Sequence, residues 1–287
     1  MIPASFDYYS AETVDEAIEL LQAHGSEAKL LAGGHSLIPL MKLRLTEPGT
    51  IVDIGKIAEL RGVRPRDGGV AIGALTTHNA VSTSPALDGL DAVQEAARAI
   101  GDVQVRNRGT IGGSLAHADP GADLPAAILA LNAVIVLRGP TGERTVVADQ
   151  FFQGLLTTDL AEDELLTEVR FRTLLDRTGS AYVKFANPAS GYAVVGVAAV
   201  VTLGADGSIA DVRVAITGAG DHTTRATGVE DALKGQQPSV DAIAAAAAHA
   251  AEGIETMGDI HASAEYRAEL TRVYARRAIQ KAVERAT

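Results

Sequence analysis

The sequence predicts an α+β protein built from two α/β units and a smaller α+β unit at the C-terminal end. Its 287 residues suit two compact domains, or one large domain with a smaller partner. Helix and strand signals alternate through the first two thirds, whereas strands and then helices follow one another in the last third. A polar, turn-like stretch at 176–180 separates the two patterns. We therefore expect units at 1–56, 57–175 and 176–287.

The first unit begins with a well-marked helix. Thr13 and Glu16 form a capping-box pattern, and Gly25 supplies a C-terminal stop. Between them, apolar residues fall on one helical face. Short apolar runs at 29–32 and 51–54 have the character of buried strands, so the unit is predicted to be a small α/β module.

The middle unit is predicted to mix strands and helices. Gly68-Gly69 marks a turn before a strand, and the Gly-Pro-Thr-Gly segment at 139–142 separates two strands. The predicted strands are 70–75, 133–137, 144–147 and 165–171, and the predicted helices are 91–100 and 123–131.

The last unit is predicted to consist of strands followed by helices. The predicted strands are 181–185, 192–203 and 209–217, and the predicted helices are 226–234, 239–252 and 264–284. Asp206-Gly207 is a hairpin signal. The run 192–203 is apolar, but its 12 residues fall short of the roughly 20 that a helix needs to cross a bilayer. Its valines favour a buried strand.

Composition excludes several functional classes. The chain has 25 Lys and Arg against 36 Asp and Glu, a formal net charge of −11, which disfavours a general nucleic-acid binder. It has no cysteine, so it cannot by itself hold a disulfide, a Cys-ligated zinc ion or a Cys-ligated iron–sulfur cluster. No secretory signal pattern opens the sequence, and we expect a cytoplasmic protein without a membrane span.

Two glycine-rich segments remain once other nucleotide and hydrolase motifs are eliminated. No phosphate-cradling loop, dinucleotide fingerprint or nucleophile elbow is complete, and the seven histidines show no zinc-hydrolase spacing. The segments are 30–36, which contains Gly33-Gly34, and 108–114, which contains Gly112-Gly113. Both are predicted to be loops. Their backbone N–H groups can cradle an anion, and two such loops can grip a pyrophosphate. An ordinary structural turn is the alternative for each segment.

An acidic residue follows the second glycine segment. Asp123 lies just before a predicted helix, in the stretch Ala-His-Ala-Asp-Pro-Gly-Ala-Asp that begins at Ala116. It is either the helix cap or an acceptor for hydroxyl groups of a ligand.

These segments carry a family resemblance. The stretches AGGHSLIPLMKLR (32–44) and NRGTIGGSLAHADPGADLPAAIL (107–129) resemble the FAD-binding medium subunit of molybdenum hydroxylases, above all of carbon monoxide dehydrogenases. Xanthine dehydrogenase has a similar FAD domain. The resemblance covers essentially the whole chain, including 259–267. It implies an FAD-binding fold of the vanillyl-alcohol oxidase type in two α/β subdomains, followed by a smaller α+β domain.

The resemblance also implies a role for individual residues. The first segment would line the FAD diphosphate, the second would form an opposing clamp, Asp123 would bind cofactor hydroxyls, and other residues would contact the flavin or pack on the cofactor. The implied cofactor-binding residues are Lys29, Leu30, Leu31, Ala32, Gly33, Gly34, His35, Ser36, Ile100, Thr110, Ile111, Gly112, Gly113, Ser114, Asp123, Leu166, Lys184 and Tyr192. For Tyr192, a core strand residue is an equal alternative. We assign no acid–base, nucleophilic or metal-binding residue, and we expect His35 and His117 to shape loops or form hydrogen bonds.

The chain departs from the family pattern at one loop. Relatives often carry a basic residue four places after the lysine and an acid just before the aromatic, where this chain has Pro188 and Gly191. This loop shapes access to the flavin, so the departure leaves NAD docking and the identity of the acceptor open.

The resemblance implies an oxidoreductase subunit that works with partners. A large molybdenum-cofactor subunit would oxidise the substrate, a small subunit would supply [2Fe–2S] clusters, and a dimer of heterotrimers would form. Electrons would pass through FAD to an external acceptor such as quinone or NAD. Two alternatives stay open, namely a stand-alone flavin oxidase of the vanillyl-alcohol oxidase type and a cofactor-free assembly module.

Overall fold

A computed structural model describes residues 2–287. The strands are β1 (Asp7–Ser10), β2 (Ala28–Leu31), β3 (Thr50–Asp53), β4 (Val63–Arg66), β5 (Gly69–Gly73), β6 (Val134–Gly139), β7 (Gly142–Val147), β8 (Phe152–Gly154), β9 (Thr157–Thr158), β10 (Leu165–Arg172), β11 (Thr178–Ala186), β12 (Ala193–Leu203), β13 (Ile209–Thr217) and β14 (Thr224–Arg225). The helices are α1 (Val14–His24), α2 (Leu37–Leu43), α3 (His78–Thr83), α4 (Asp91–Ala99), α5 (Val103–Arg108), α6 (Ile111–His117), α7 (Leu124–Ala130), α8 (Ala148–Phe151), α9 (Thr227–Leu233), α10 (Val240–Ala247) and α11 (Ala264–Ala286). The fold is α+β, as the sequence predicts.

The N-terminal strands form a small parallel sheet in the order β1-β3-β2. The predicted cap of α1 is confirmed, because the Thr13 hydroxyl accepts a hydrogen bond from the Glu16 N–H. Gly25 ends the helix with a positive φ of 53°, which glycine adopts without strain. The apolar face of α1 packs against β3, and Leu30 near the end of β2 packs against the same cluster.

The middle strands form an antiparallel sheet in the order β4-β5-β10-β6-β7. The predicted turn at Gly68 joins β4 to β5, and Gly68 has a φ of 71°. Helices α4 and α7 cover this sheet, and α7 is buried along its whole length. The core they share with the sheet continues onto Ala198 and Val200 of β12, so the last sheet is not an independent layer.

The C-terminal strands form an antiparallel sheet in the order β11-β12-β13-β14 between two layers of helices. Side chains of β12 alternate between the layers: Val197, Ala199 and Val201 face the cluster that contains α11, whereas Ala198 and Val200 face the cluster that contains α4 and α7. Both faces are therefore apolar, which explains the unbroken hydrophobic run and confirms its prediction as a strand. No helix within residues 2–287 is long and apolar enough to cross a membrane.

The second glycine segment differs from its prediction as a loop. Gly112, Gly113 and Ser114 belong to α6, and the Thr110 hydroxyl caps the helix by accepting a hydrogen bond from the Gly113 N–H at 3.2 Å. Glycine disfavours helices, so its presence misleads a prediction from propensity. Here the close packing of Gly112 against Ala74 outweighs that preference.

The contact between β11 and α11 can be tested at a strand glycine. A Cβ at Gly179 would overlap the carbonyl oxygen of Ala282 and lie 2.7 Å from the backbone nitrogen of Ala286. Because backbone atoms cannot move aside cheaply, Gly179→Ala is expected to lower the free energy of unfolding by about 3 kcal/mol in urea denaturation.

Gly154→Ala is the matched control for Gly179→Ala. It also lies in a strand, and within residues 2–287 no atom lies within 4 Å of the position its Cβ would take. Equal stability of the two variants would contradict the packing of α11 on β11.

Candidate functional site

One cavity of about 620 Å³ lies between parts of the N-terminal and middle units and the turn that joins β11 to β12. It is bounded by the end of β2, the start of α6, the 119–123 loop, the β8–β9 hairpin and the 190–192 turn. The predicted residues that line it are Lys29, Leu30, Ala32, Gly33, Gly34, His35, Ser36, Ile100, Thr110, Gly112, Gly113, Ser114, Asp123, Leu166 and Tyr192. The fold thus brings both glycine segments and Asp123 to the same space from distant parts of the chain.

The two glycine segments approach each other at the backbone. A Cβ at Gly33 would overlap the carbonyl oxygen of Arg108 and lie 2.9 Å from the Cα of Gly109. Gly34 adds a φ of 76°, which turns the chain from β2 towards α2. A glycine at 33 is therefore required by the neighbouring chain segment itself, before any ligand is considered.

The start of α6 makes a second close approach. A Cβ at Gly112 would lie 2.5 Å from the Cβ of Ala74 and 2.9 Å from its Cα. The Gly112 N–H donates to the Ala74 carbonyl at 2.8 Å, and the Ile111 N–H donates to the Thr76 carbonyl at 3.0 Å. Gly33 and Gly112 together let three backbone segments converge on one wall of the cavity.

Asp123 is the predicted acidic residue of the site, and it is only 4% exposed. It occupies the N-cap position of α7, but its carboxylate turns to β11 instead of capping the helix. Oδ1 accepts a hydrogen bond from the Tyr182 hydroxyl at 2.6 Å, and the Lys184 ammonium lies 2.9 Å from Oδ1 and 3.0 Å from Oδ2. Burial raises the pKa of this carboxyl, and Lys184 and Tyr182 oppose that effect.

Three predicted residues lie outside the cavity lining. Ile111 is fully buried in the middle core, and Leu31 packs beside Gly34. The Lys184 ammonium donates to the carbonyls of Ala99 at 2.7 Å and Gly191 at 2.6 Å as well as to Asp123. An ammonium has three N–H donors, so these partners use all of them. Lys184 therefore holds Asp123 in place without itself lining the cavity.

Tyr192 lies at the edge of the cavity and is 47% exposed, so the alternative of a core strand residue is wrong. Burial of part of the ring and the nearby carboxylates of Asp119 and Asp123 raise the pKa of its hydroxyl. The turn before it is closed by Asn187, whose side-chain oxygen accepts the N–H groups of residues 189 and 190. Gly191 has a φ of 72° in this turn.

The arginines that precede the second segment stand apart from the cavity. Arg106 donates to the carbonyls of Ile100 and Gly101 at 2.8 and 2.9 Å, which ties the end of α4 to α5. Neither Arg106 nor Arg108 is among the lining residues, so the basic side chain in the lining is Lys29.

Sequence reasoning missed one histidine and one hairpin. His78 lines the cavity together with His35 and His117, and the Leu156–Thr158 end of the β8–β9 hairpin closes another side. His78 is 5% exposed, and its Nδ1 has no hydrogen-bond partner within residues 2–287. Burial, with positive charge on His35 and Arg106, lowers the pKa of His78 to about 4. Neither feature carries a local sequence signal, because both depend on long-range packing.

The lowered pKa of His78 makes stability depend on pH. The unfolded chain binds a proton near pH 6.5 and the folded chain only near pH 4, so acidification in this window favours unfolding. Between pH 7 and pH 4.5 this group is expected to remove about 2 kcal/mol from the free energy of unfolding. His78→Gln should remove that part of the pH dependence in urea titrations. Parallel pH profiles of the two proteins would contradict a neutral, buried His78.

Comparison with known proteins identifies families along nearly the whole chain. A model described as the FAD binding domain in molybdopterin dehydrogenase matches residues 4–171. A second model, the CO dehydrogenase flavoprotein C-terminal domain, matches residues 180–282.

Individual relatives agree with these families. The chain is 41% identical to the carbon monoxide dehydrogenase medium chain of Hydrogenophaga pseudoflava, over 98% of both chains. It is 38% identical to subunit alpha of the 6-hydroxypseudooxynicotine dehydrogenase complex of Paenarthrobacter nicotinovorans, over 100% of this chain and 97% of that subunit. A solved structure of the Hydrogenophaga pseudoflava carbon monoxide dehydrogenase superposes with a TM-score of 0.96 at 42% identity and full coverage of both chains. The chain therefore belongs to the FAD-binding medium subunits of the molybdenum hydroxylase family, and its cofactor is FAD.

Proposed function

We propose that this chain is the electron-transfer subunit of a molybdenum-containing hydroxylase or dehydrogenase. It accepts electrons from the [2Fe–2S] clusters of a small subunit and passes them to an external acceptor, quinone or NAD. The observation that carries this proposal is the single cavity that unites both glycine segments with Asp123, in a chain matched over its length by medium chains. Bound FAD supplies the redox chemistry, and the protein positions it.

The cavity has the composition that a long, amphipathic cofactor requires. Backbone N–H groups of the first glycine segment and the Lys29 side chain suit a diphosphate, and the second segment approaches the same space with the Ser114 side chain. Asp123 suits hydroxyl groups, and apolar side chains such as Leu40 and Leu165 suit a flat ring. The unpartnered Nδ1 of the buried His78 is a further polar atom that a ligand can satisfy.

Roles within the site follow from these positions. We assign the diphosphate to the segment from Lys29 to Ser36 and to its counterpart from Thr110 to Ser114. Asp123 accepts hydrogen bonds from cofactor hydroxyls, while Ile100, Leu166 and Tyr192 contact the cofactor through their side chains. Lys184 and the buried Ile111 act indirectly, because the first holds Asp123 and the second anchors α6 in the core.

The proposed partners are the subunits that carry the other cofactors. This chain has no cysteine to hold an iron–sulfur cluster, so the clusters that deliver electrons belong to a small subunit. We place the molybdenum site in a large subunit and propose a dimer of heterotrimers in the cytoplasm. Within this chain we retain units at 1–56, 57–175 and 176–287.

Substrate choice is assigned to the large subunit. Relatives with similar identity to this chain, 41% and 38%, are named for carbon monoxide and for 6-hydroxypseudooxynicotine. One flavin subunit architecture therefore serves different substrates. Carbon monoxide, an aldehyde and an N-heterocycle are all compatible with this chain.

The close packing of the glycine segments predicts the effect of replacing their glycines with larger residues. Gly33→Val pushes the first segment off the Arg108 backbone, and Gly112→Val pushes α6 off Ala74. Each variant is expected to lose FAD, measured as flavin per protein after gel filtration. Because the C-terminal sheet should stay folded, the far-UV circular dichroism of the whole chain should keep its strand signal. Gly154→Val, which meets open space among residues 2–287, should retain FAD. Full FAD occupancy in either of the first two variants would refute the convergence.

The functional assignment is tested by purifying the chain alone and with co-expressed large and small subunits. Absorbance from 300 to 600 nm and the mass of the heat-released chromophore identify the cofactor. FAD together with cluster absorbance in the co-purified complex, bleached when substrate is added, supports the assignment. Alcohol oxidation with oxygen by the chain alone would favour a stand-alone oxidase, and absence of flavin from both preparations would favour an assembly module.

A further inference from the structure

Tyr182 is a buried tyrosine that is not among the proposed cofactor-binding residues. It lies on β11 in the C-terminal unit, is 4% exposed, and donates its hydroxyl proton to Asp123 Oδ1 at 2.6 Å. The carboxylate belongs to a different part of the chain, 59 residues away. A hydrogen bond to a buried ionised group is stronger than one between neutral groups.

The neighbouring strand leaves space for this hydroxyl. Gly196 of β12 lies beside Tyr182, and a Cβ there would overlap Tyr182 Oη. A glycine in the middle of a buried central strand is unfavourable by itself, because it offers no side chain to pack. The hydroxyl of Tyr182 fills the place of that side chain, so the glycine and the tyrosine form one unit.

The backbone of Tyr182 is also fixed. Its N–H donates to Glu95 Oε2 at 2.9 Å, which occupies a donor on the outer edge of β11. Glu95 Oε1 accepts hydrogen bonds from Lys281 and Arg285 of α11, each at 2.6 Å. A carboxylate that links α4, β11 and α11 therefore locks the strand that presents Tyr182 to Asp123.

We propose that Tyr182 is a positioning residue of the cofactor site, which holds the Asp123 carboxylate so that its free lone pairs accept a hydrogen bond from an FAD hydroxyl. The inference rests on the proposed role of Asp123. A carboxylate offers about four acceptor sites. Tyr182 and Lys184 approach it from β11, and Asp123 also lines the cavity, so acceptor capacity is left for a ligand there.

A double-mutant cycle tests the inference in the full-length protein. FAD dissociation constants are measured by fluorescence titration for wild type, Tyr182→Phe, Asp123→Ala and the double variant. Tyr182→Phe is expected to weaken FAD binding roughly tenfold in the wild-type background. It should have no further effect when Asp123 is already Ala, because Tyr182 acts through the Asp123 side chain.

A second readout is the pH profile of FAD affinity. The groups that face Asp123 are Tyr182 and Lys184 from β11, and Tyr192 lies near enough to feel its charge. Loss of the Tyr182 hydroxyl removes one interaction that opposes burial, so the pKa of Asp123 rises. The pH below which FAD affinity falls should therefore move upward in Tyr182→Phe.

Tyr274→Phe is the matched control for the loss of a hydroxyl. Tyr274 lies on α11, and its ring packs against Phe185, away from Asp123. It should leave FAD affinity unchanged. An equal loss of affinity from Tyr182→Phe in both Asp123 backgrounds, or no loss in either, would overturn the positioning role.

The outcomes also separate this inference from the proposed function. Unchanged FAD binding by Asp123→Ala would overturn the roles of both residues while leaving the protein an FAD subunit. Absence of FAD from the wild-type complex would overturn the proposed function itself.

Discussion

Two close backbone approaches organise the site, one at Gly33 and one at Gly112. Each glycine lies where a side chain would overlap another chain segment, the Arg108 carbonyl in one case and Ala74 in the other. The N-terminal parallel sheet is small, and its position beside the middle unit depends on such contacts. The two segments meet with backbone against backbone, and both line the same cavity. The packing of the chain itself therefore requires glycine at both positions, whether or not a cofactor is bound.

A buried polar cluster completes the opposite side of the cavity. Asp123 comes from the middle unit, whereas Tyr182 and Lys184 come from the C-terminal sheet. An ionised carboxylate at 4% exposure is unfavourable unless its partners compensate for the lost water. The two β11 side chains supply part of that compensation and tie the last sheet to the proposed cofactor site. The C-terminal unit is therefore a structural part of the proposed site.

Much of the fold was predictable because its signals are local. The cap at Thr13, the apolar strand β12 and the long helix α11 follow from capping chemistry and hydrophobic periodicity. Both glycine segments that the sequence singled out line one cavity, and their role in binding the cofactor stays a prediction. The helix α6 was not predictable, since Gly112 is tolerated in a helix only because Ala74 packs against it. The pairing of Tyr182 with Gly196, and the burial of His78, depend on contacts between distant residues that one sequence does not reveal.

In the proposed FAD site, two glycine segments and a carboxylate held from β11 bind one cofactor. The most direct test of this proposal is an experimental structure of the FAD-loaded protein. We expect the diphosphate between the segments 33–36 and 110–114, and an Asp123 carboxylate oxygen about 3 Å from a cofactor hydroxyl. A cofactor bound elsewhere, or an Asp123 that contacts only Tyr182 and Lys184, would contradict it.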